Sequence, residues 1–272
     1  SCKGSERKIA KAVKKIVRRQ GKMVNPVTGS GGMLIGEIKE VGEVLRQKGI
    51  ANIGTQVASL VSLTLTPLVI EEILKINRSN CQVEISGHAI LFETSKFYPI
   101  PEDLPNDLVL SALDVCGAPA QVARRLSLNP DIKRIAVIGA GGHAGVLVCA
   151  VTKEKIQEGG QIIAIEKDRA KLARLRELGL ADIYLELDCT EGTKVAREVR
   201  RVTDGLMADL VVDVGNVPGL EAGAILSARL GGSVLFFNMA TSFSRATLIA
   251  EGVGQDVDLI MGNGYVPGHA EL

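Results

Sequence analysis

The sequence predicts an α/β fold: a doubly wound parallel sheet in the second half of the chain, preceded by a β-rich segment. Three observations carry this. From Lys133 onward, short apolar runs alternate with helical patterns, the arrangement that builds a parallel sheet covered on both faces. Ahead of it, residues 23–100 place apolar and alternating runs between Asn, Ser and Gly breaks, as strands do. Glycine is in surplus, 30 of 272 residues, against a usual share of about 7%.

Composition narrows the function classes. The chain is 46% hydrophobic, enough for a real core. With 32 basic and 31 acidic residues it has no global field to steer it to nucleic acid or a membrane surface. Aromatics are 3% with no Trp, little stacking surface for single strands or sugars. Cys2, Cys81, Cys116, Cys149 and Cys189 are odd in number and widely spaced, which reads as reduced thiols in a cytoplasmic protein. The longest apolar stretch, residues 57–70, is too short for a bilayer and carries Ser, Thr and Pro. The chain opens on Ser1 and stops at Leu272 after a Gly-rich turn, so both ends read as cut.

Residues 3–22 are rich in Lys and Arg, with Ile9, Val13, Ile16 and Val17 at helical spacing. This is an amphipathic helix with a solvated basic face, preferred here over a targeting peptide. Strands are expected at 33–42, 56–68, 82–85 and 89–92, then a Pro-marked loop through Pro99, Pro101 and Pro105, and a helix at 106–116. The second half reads strand 134–141, helix 142–155, strand 161–168, helix 169–178, strand 183–187, helix 194–203, strand 209–215, helix 220–229, and strands 233–239 and 258–264.

The strongest motif is Gly139-Ala140-Gly141-Gly142-His143-Ala144, a G-x-G-x-x-A run between an expected strand and helix. The first Gly permits a tight turn, the second lets a pyrophosphate approach the backbone, and Ala144 is expected to let helix pack closely on strand. The helix N-terminus then offers free N–H groups to phosphate. Glu166 closes the next strand, where an acid accepts bonds from ribose hydroxyls and favours NAD. Lys167 and Arg169 leave NADP open. His143 reads as an exposed residue on the first helical turn, or as a phosphate contact. These parts define a Rossmann-type dinucleotide-binding domain.

The order of parts resembles the medium-chain dehydrogenases/reductases. Residues 36–42 (GEIKEVG) and 54–57 (GTQV) are similar to segments of their zinc alcohol dehydrogenases, yet Met33-Leu34 stand where those have the His-Glu pair. With Met a poor zinc ligand and Leu none, no metal is expected. A closer likeness lies in 25–33 (NPVTGSGGM), 62–67 (SLTLTP), 117–121 (GAPAQ), 239–243 (MATSF), 250–254 (AEGVG) and 262–265 (GNGY). Together these resemble the L-erythro-3,5-diaminohexanoate dehydrogenase family, zinc-less relatives of that group. The resemblance implies a GroES-like β-rich substrate domain over 1–112, apparently truncated, and the Rossmann domain over 113–272.

It also implies reversible oxidative deamination of a small diamino acid, with NAD as cofactor and NADP the alternative. Such a substrate needs hydroxyls, amides and a carboxylate around its ammonium groups. The expected substrate contacts are Asn25 in the Gly-rich loop, and Thr64 and Thr66 on one face of the 56–68 strand. Asn238 and Thr241, after the fifth sheet strand, and Asn263, after the sixth, are expected at the cofactor's nicotinamide side, with Gly139, Gly141, Gly142, His143, Ala144, Glu166 and Lys167 at its other groups. Glu93 and Glu251 are ammonium partners or, preferably, surface carboxylates; Cys116 reads as a buried small residue. The last strand, an exposed apolar edge, suggests a homodimer. The competing readings are a zinc-independent NADPH-dependent quinone or enoyl reductase and a non-catalytic dinucleotide-binding protein.

Overall fold

The computed structural model describes residues 5–101 and 103–272, so Cys2 and the first residues of the expected basic helix lie outside the described residues. The chain forms two compact units, Ser1–Asp114 and Val115–Leu272.

In the first unit, α1 (Glu6–Gln20) follows from its apolar spacing. Gly21 ends it in the left-handed conformation, φ 67°, returning its N–H to the Val17 carbonyl. Only Val17 is buried, and the basic residues stay at the surface. After β1 (Ile35–Glu37) and the short α2 (Glu43–Gln47), β2 (Gln56–Ser59) pairs antiparallel with β1 on one side. The long β3 (Leu68–Asn77) and β4 (Gln82–Ala89) make a separate antiparallel hairpin, irregular near Glu71 and Leu74, against which α1 packs. The short β5 (Phe97–Pro99) completes the first sheet, order β1-β2-β5, and α3 (Asn106–Leu113) ends the unit.

The single strand expected at 56–68 is not formed. β2 stops at Ser59, a 3-10 turn occupies Leu63–Leu65, and β3 begins at Leu68. The cause is local. Ser62 Oγ accepts the Gly31 N–H at 2.8 Å, and Leu63 N–H donates to the Gly32 carbonyl at 2.9 Å, so the segment bonds to a loop and not to a ladder. Pro67 then removes a donor. Leu63 is buried while Leu65 is 81% exposed, which no common strand face would allow. The strand expected at 82–85 runs on to Ala89 as β4, and the strand expected at 89–92 is not formed beyond that residue.

The second unit begins with α4 (Gly117–Leu128), whose Pro119 sits in the first turn, where its missing N–H costs no helical bond. Then β6 (Arg134–Ile138), α5 (His143–Lys155), β7 (Gln161–Glu166), α6 (Arg169–Glu177), β8 (Ile183–Glu186), α7 (Gly192–Val202), β9 (Ala208–Asp213), α8 (Glu221–Ser227), β10 (Ala228–Phe236), α9 (Phe243–Gly252) and β11 (Val257–Met261) alternate. All six strands are parallel, in the order β11-β10-β9-β6-β7-β8. Winding from β6 outward in both directions puts a crevice at the β6/β9 boundary, beyond the carboxyl ends of the strands.

Side-chain alternation fills both faces. Ile135 and Val137 join α4, α5 and α6 on one side through Val122, Val148 and Leu172. Ala136 and Ile138 join Val195 and Val199 of α7, Ile225 of α8 and Ala246 of α9 on the other. Among the described residues no helix is long and apolar enough to cross a membrane.

One buried acid fixes the amino ends of the central strands. Asp209 of β9 accepts the backbone N–H groups of Lys133 and Arg134 at 3.1 and 2.7 Å, the Arg134 guanidinium at 3.1 Å and Arg229 Nε at 2.6 Å. Burial works to raise its pKa, but these donors outweigh it and hold the carboxyl below its ordinary value. Its stabilising contribution is therefore present at neutral pH and is lost as pH falls through that lowered value. Asp209→Ala leaves two backbone N–H donors without an acceptor, while Arg134 and Arg229 keep the carbonyls of Met207 and Leu230; thermal melts at pH 7 are expected to show a loss of roughly 1–3 kcal/mol.

Candidate functional site

The turn after β6 is built from positions that have no room for side chains. Gly139 adopts φ 78°, and a Cβ on it would lie 2.9 Å from the backbone of Gly215. A Cβ on Gly141 would meet Lys171 Cβ at 2.6 Å and the Glu166 side chain at 3.0 Å. The turn is tied to β7 by the N–H groups of Gly139 and Ala140, both donating to the Ile165 carbonyl. Gly142 is the N-cap of α5 and brings no side-chain acceptor, so the first-turn N–H groups remain available to an anion.

The close approach of helix to strand is made by Gly145, not by Ala144. A Cβ at 145 would stand 2.3 Å from the Gly139 oxygen and 2.6 Å from Ala140 Cα. Ala144, half-buried, packs against the apolar layer. The sequence holds the signal, since a glycine directly follows the motif inside a helix that glycine disfavours. His143 is exposed at the first helical position.

Glu166 stands at the carboxyl end of β7, facing the turn. Its Oε2 accepts from Gly141 N–H at 3.2 Å and its Oε1 from Asp168 N–H at 3.0 Å. Lys167 forms an ion pair with Asp188, Nζ to Oδ2 3.6 Å. Lys171, whose stem borders Gly141, is a neighbour that the motif did not flag.

At the far side of the crevice, β9, β10 and β11 end in a laced set of turns. Phe237 N–H donates to the Asp213 carbonyl at 2.8 Å, and Gly262 N–H to the Phe236 carbonyl at 2.8 Å. Asn238 Oδ1 accepts from Ala240 N, Thr241 N and Thr241 Oγ1 at 2.9, 2.8 and 3.0 Å, while its Nδ2 donates to the Asp213 carbonyl at 3.3 Å. Asn238 and Thr241 thus spend polar atoms on shaping their own turn. Ser242 caps α9 by accepting from Arg245 N–H, and its own N–H donates to Glu221 Oε1 at 2.8 Å. Asn263 is exposed; its carbonyl accepts from Gln121 Nε2 at 2.9 Å, joining the 117–121 and 262–265 motifs.

In the first unit, the 25–32 loop and the 62–66 turn meet. A Cβ on Gly31 would lie 2.6 Å from Thr64 N and 2.7 Å from the Leu63 carbonyl carbon. Asn25 Oδ1 accepts from Val27 N–H at 2.9 Å, and its carbonyl accepts from Gly29 N–H, so this amide folds its own loop. Thr64, in the middle of the 3-10 turn, is half-buried, and Thr66, which follows the turn, is buried, so the two do not share a strand face. Glu93 is ion-paired to Lys48 at 2.5 Å and Glu251 is exposed, so both are surface carboxylates. Cys116 is half-buried, where burial pushes its thiol pKa up. Among the described residues, no three His, Cys, Asp or Glu side chains gather as a metal-ligand set.

These features match known proteins. The family described as the L-erythro-3,5-diaminohexanoate dehydrogenase N-terminal domain matches residues 1–101. The L-erythro-3,5-diaminohexanoate dehydrogenase of Acetoanaerobium sticklandii is 42% identical over 266 residues, covering 98% of this chain and 76% of that protein. That of Fusobacterium nucleatum subsp. nucleatum is 40% identical over 265 residues, 97% of this chain and 76% of that protein. Among solved structures, an alcohol dehydrogenase from Thermus sp. ATN1 superposes with a TM-score of 0.57 at 21% identity, over 91% of this chain and 72% of that one. This likeness gives the fold, that of the medium-chain dehydrogenases/reductases.

Asp213, the last residue of β9, is 1% exposed; Gly215 N–H donates to its Oδ1 at 3.0 Å, and its Oδ2 has no partner among the described residues. Burial, with the Glu221 charge adding to it and the Gly215 bond only partly offsetting it, pushes its pKa up to about 7. The acid stays protonated in the fold at pH values where the unfolded chain has lost the proton. The stability this gives is full at low pH and is lost as pH rises through about 7. Asp213→Asn mimics the protonated form. Melting curves are expected to coincide with wild type near pH 4 and to sit several degrees higher at pH 8, within a ceiling of about 4 kcal/mol.

Proposed function

Because the chain belongs to the L-erythro-3,5-diaminohexanoate dehydrogenase family, we propose that it oxidises L-erythro-3,5-diaminohexanoate at C3, yielding 5-amino-3-oxohexanoate and ammonia in lysine fermentation. It is an oxidoreductase acting on an amino-bearing carbon, and its cofactor is a nicotinamide dinucleotide. The observation that carries the cofactor's place is the turn after β6, where Gly139, Gly141 and Gly145 leave only backbone between the strand end and the helix N-terminus. That cradle fits a pyrophosphate, which needs close approach to N–H groups more than it needs side chains.

The second unit supplies the dinucleotide half. Gly139, Gly141, Gly142, His143 and Ala144 would hold the pyrophosphate, and Glu166 would exchange its bond to Gly141 for the adenosine ribose hydroxyls. The fixed carboxylate argues for NAD over NADP. Asn238 and Thr241 shape the turn that would border the nicotinamide, and Asn263 lies on the neighbouring turn. When bound, such a dinucleotide would supply the hydride acceptor for the carbon that carries the 3-amino group.

The substrate contacts are assigned to residues of the first unit. Thr64, Thr66 and Asn25, gathered where the 25–32 loop meets the 3-10 turn, would orient the diamino acid through hydroxyl and amide contacts. The 3-ammonium group first gives a proton to water; loss of hydride from C3 of the free amine leaves an iminium on the substrate, water adds to that carbon, and the nitrogen departs as ammonium while the 3-oxo group forms. The β11 edge, paired only with β10 within this chain, is the surface through which a homodimer would form.

The test is a coupled assay of the full-length protein with 5-amino-3-oxohexanoate, ammonia and NADH or NADPH. Oxidation that depends on ammonia is expected. Turnover without ammonia would favour the quinone or enoyl reductase reading, and saturating substrate with no turnover would overturn the assignment. Gly141→Val drives a side chain into Lys171 and Glu166; dinucleotide affinity is expected to fall at least about tenfold by fluorescence titration, corresponding to roughly 1.4 kcal/mol.

A further inference from the structure

The end of the crevice beyond Glu166 carries an arrangement of charge that the fingerprint does not require. Residues 166–169 read Glu-Lys-Asp-Arg, and the neighbouring strand ends in Glu186, followed by Asp188. β7 and β8 are paired so that Glu186 lies directly across from Glu166. One cation that would otherwise welcome a ribose 2′-phosphate, Lys167, meets an acid from the β8 side. Lys167 Nζ is 3.6 Å from Asp188 Oδ2. Arg169 and Glu186 line one cavity of about 300 Å³, together with Leu172, Ala173, Arg176 and Tyr184. Arg176 stands over the Tyr184 ring, 5.0 Å from its centroid.

Asp188 is held in place for this. Its Oδ1 accepts from Thr190 N–H at 3.0 Å and Thr190 Oγ1 at 2.7 Å, leaving Oδ2 to Lys167. The two Thr190 bonds, with Lys167 adding to them, keep its carboxyl below the usual range. Asp168 spends its own carboxylate on capping α6. Glu166, Asp168, Glu186 and Asp188 thus balance Lys167, Arg169, Lys171 and Arg176. A 2′-phosphate, close to dianionic at pH 7, would find no surplus positive charge.

Resting on the dinucleotide reading above, we infer that Asp188 and Glu186 are specificity-determining residues: Asp188 draws Lys167 away from the ribose 2′ position, and Glu186, across from Glu166 and on one cavity with Arg169, adds negative charge there, which together hold the enzyme to NAD. Glu166 acts on the hydroxyls directly; Asp188 acts through Lys167.

The experiment measures kcat/KM with NADP and with NAD for the full-length protein. Asp188→Asn is expected to raise the NADP-to-NAD ratio about two- to fivefold, the range of an exposed ion pair, Glu186→Gln about twofold, and the double variant up to about tenfold. Adding Lys167→Ala to Asp188→Asn returns the ratio to its starting value, a reversal that a merely structural effect would not give. Raising salt narrows the gain, because a phosphate contact is screened. An unchanged ratio in folded variants that still bind NAD would overturn the inference. Failure of the wild type to bind either NADH or NADPH would overturn the dinucleotide reading itself, a distinguishable result.

Discussion

A parallel sheet buried on both faces must align its strands without the help of hairpin turns, and here that alignment runs through β9. The strand lies between β6 and β10 and carries an acid at each end. Asp209 gathers two arginines and two backbone donors and stays ionised; Asp213 has one donor and remains protonated until about pH 7. The same side chain type takes opposite charge states four residues apart because one end is supplied with donors and the other is not. The crevice depends on both, since Gly215, which Asp213 holds, is the backbone against which Gly139 closes.

The floor of the cofactor site owes its shape to missing side chains and its rigidity to polar residues that face inward. Asn238 commits its oxygen to three donors within its own turn, and Asn25 does similar work in the 25–32 loop. Such residues resemble ligand contacts in a sequence because they are polar and lie in loops. Their geometry makes them supports first, and only the atoms that their own turns do not use are left for a ligand. A turn that is already fully bonded has little entropy left to lose when a ligand settles against it.

What was legible in the sequence follows from which interactions are local. The alternation of β6 to β11 with helices, the Gly139–Ala144 turn and Glu166 were readable, because each depends on residues close together in the chain. The 3-10 turn at Leu63–Leu65 was not. Its cause is a bond from Gly31 to Ser62, 31 positions away, and alternation of Ser62, Thr64 and Thr66 cannot reveal it. The helix α4 was hidden because its opening Gly-Ala-Pro reads as a breaker, although Pro in a first turn costs nothing. Glu186 and Asp188 gained meaning only when strand register set them beside Glu166 and Lys167.

Among the described residues the β3–β4 hairpin stands apart from the other strands of its unit, with no further strand on either outer edge. Two open edges are an invitation to intermolecular pairing. The register breaks flanking Glu72 and Ile73 twist the ribbon out of the flat form that stacking copies require, and exposed Glu71, Glu72, Lys75 and Glu84 would set charges into any added strand. The irregularity that makes this hairpin look imperfect is thereby its protection against aggregation, and a version straightened by deleting Glu71 would trade that protection for regularity.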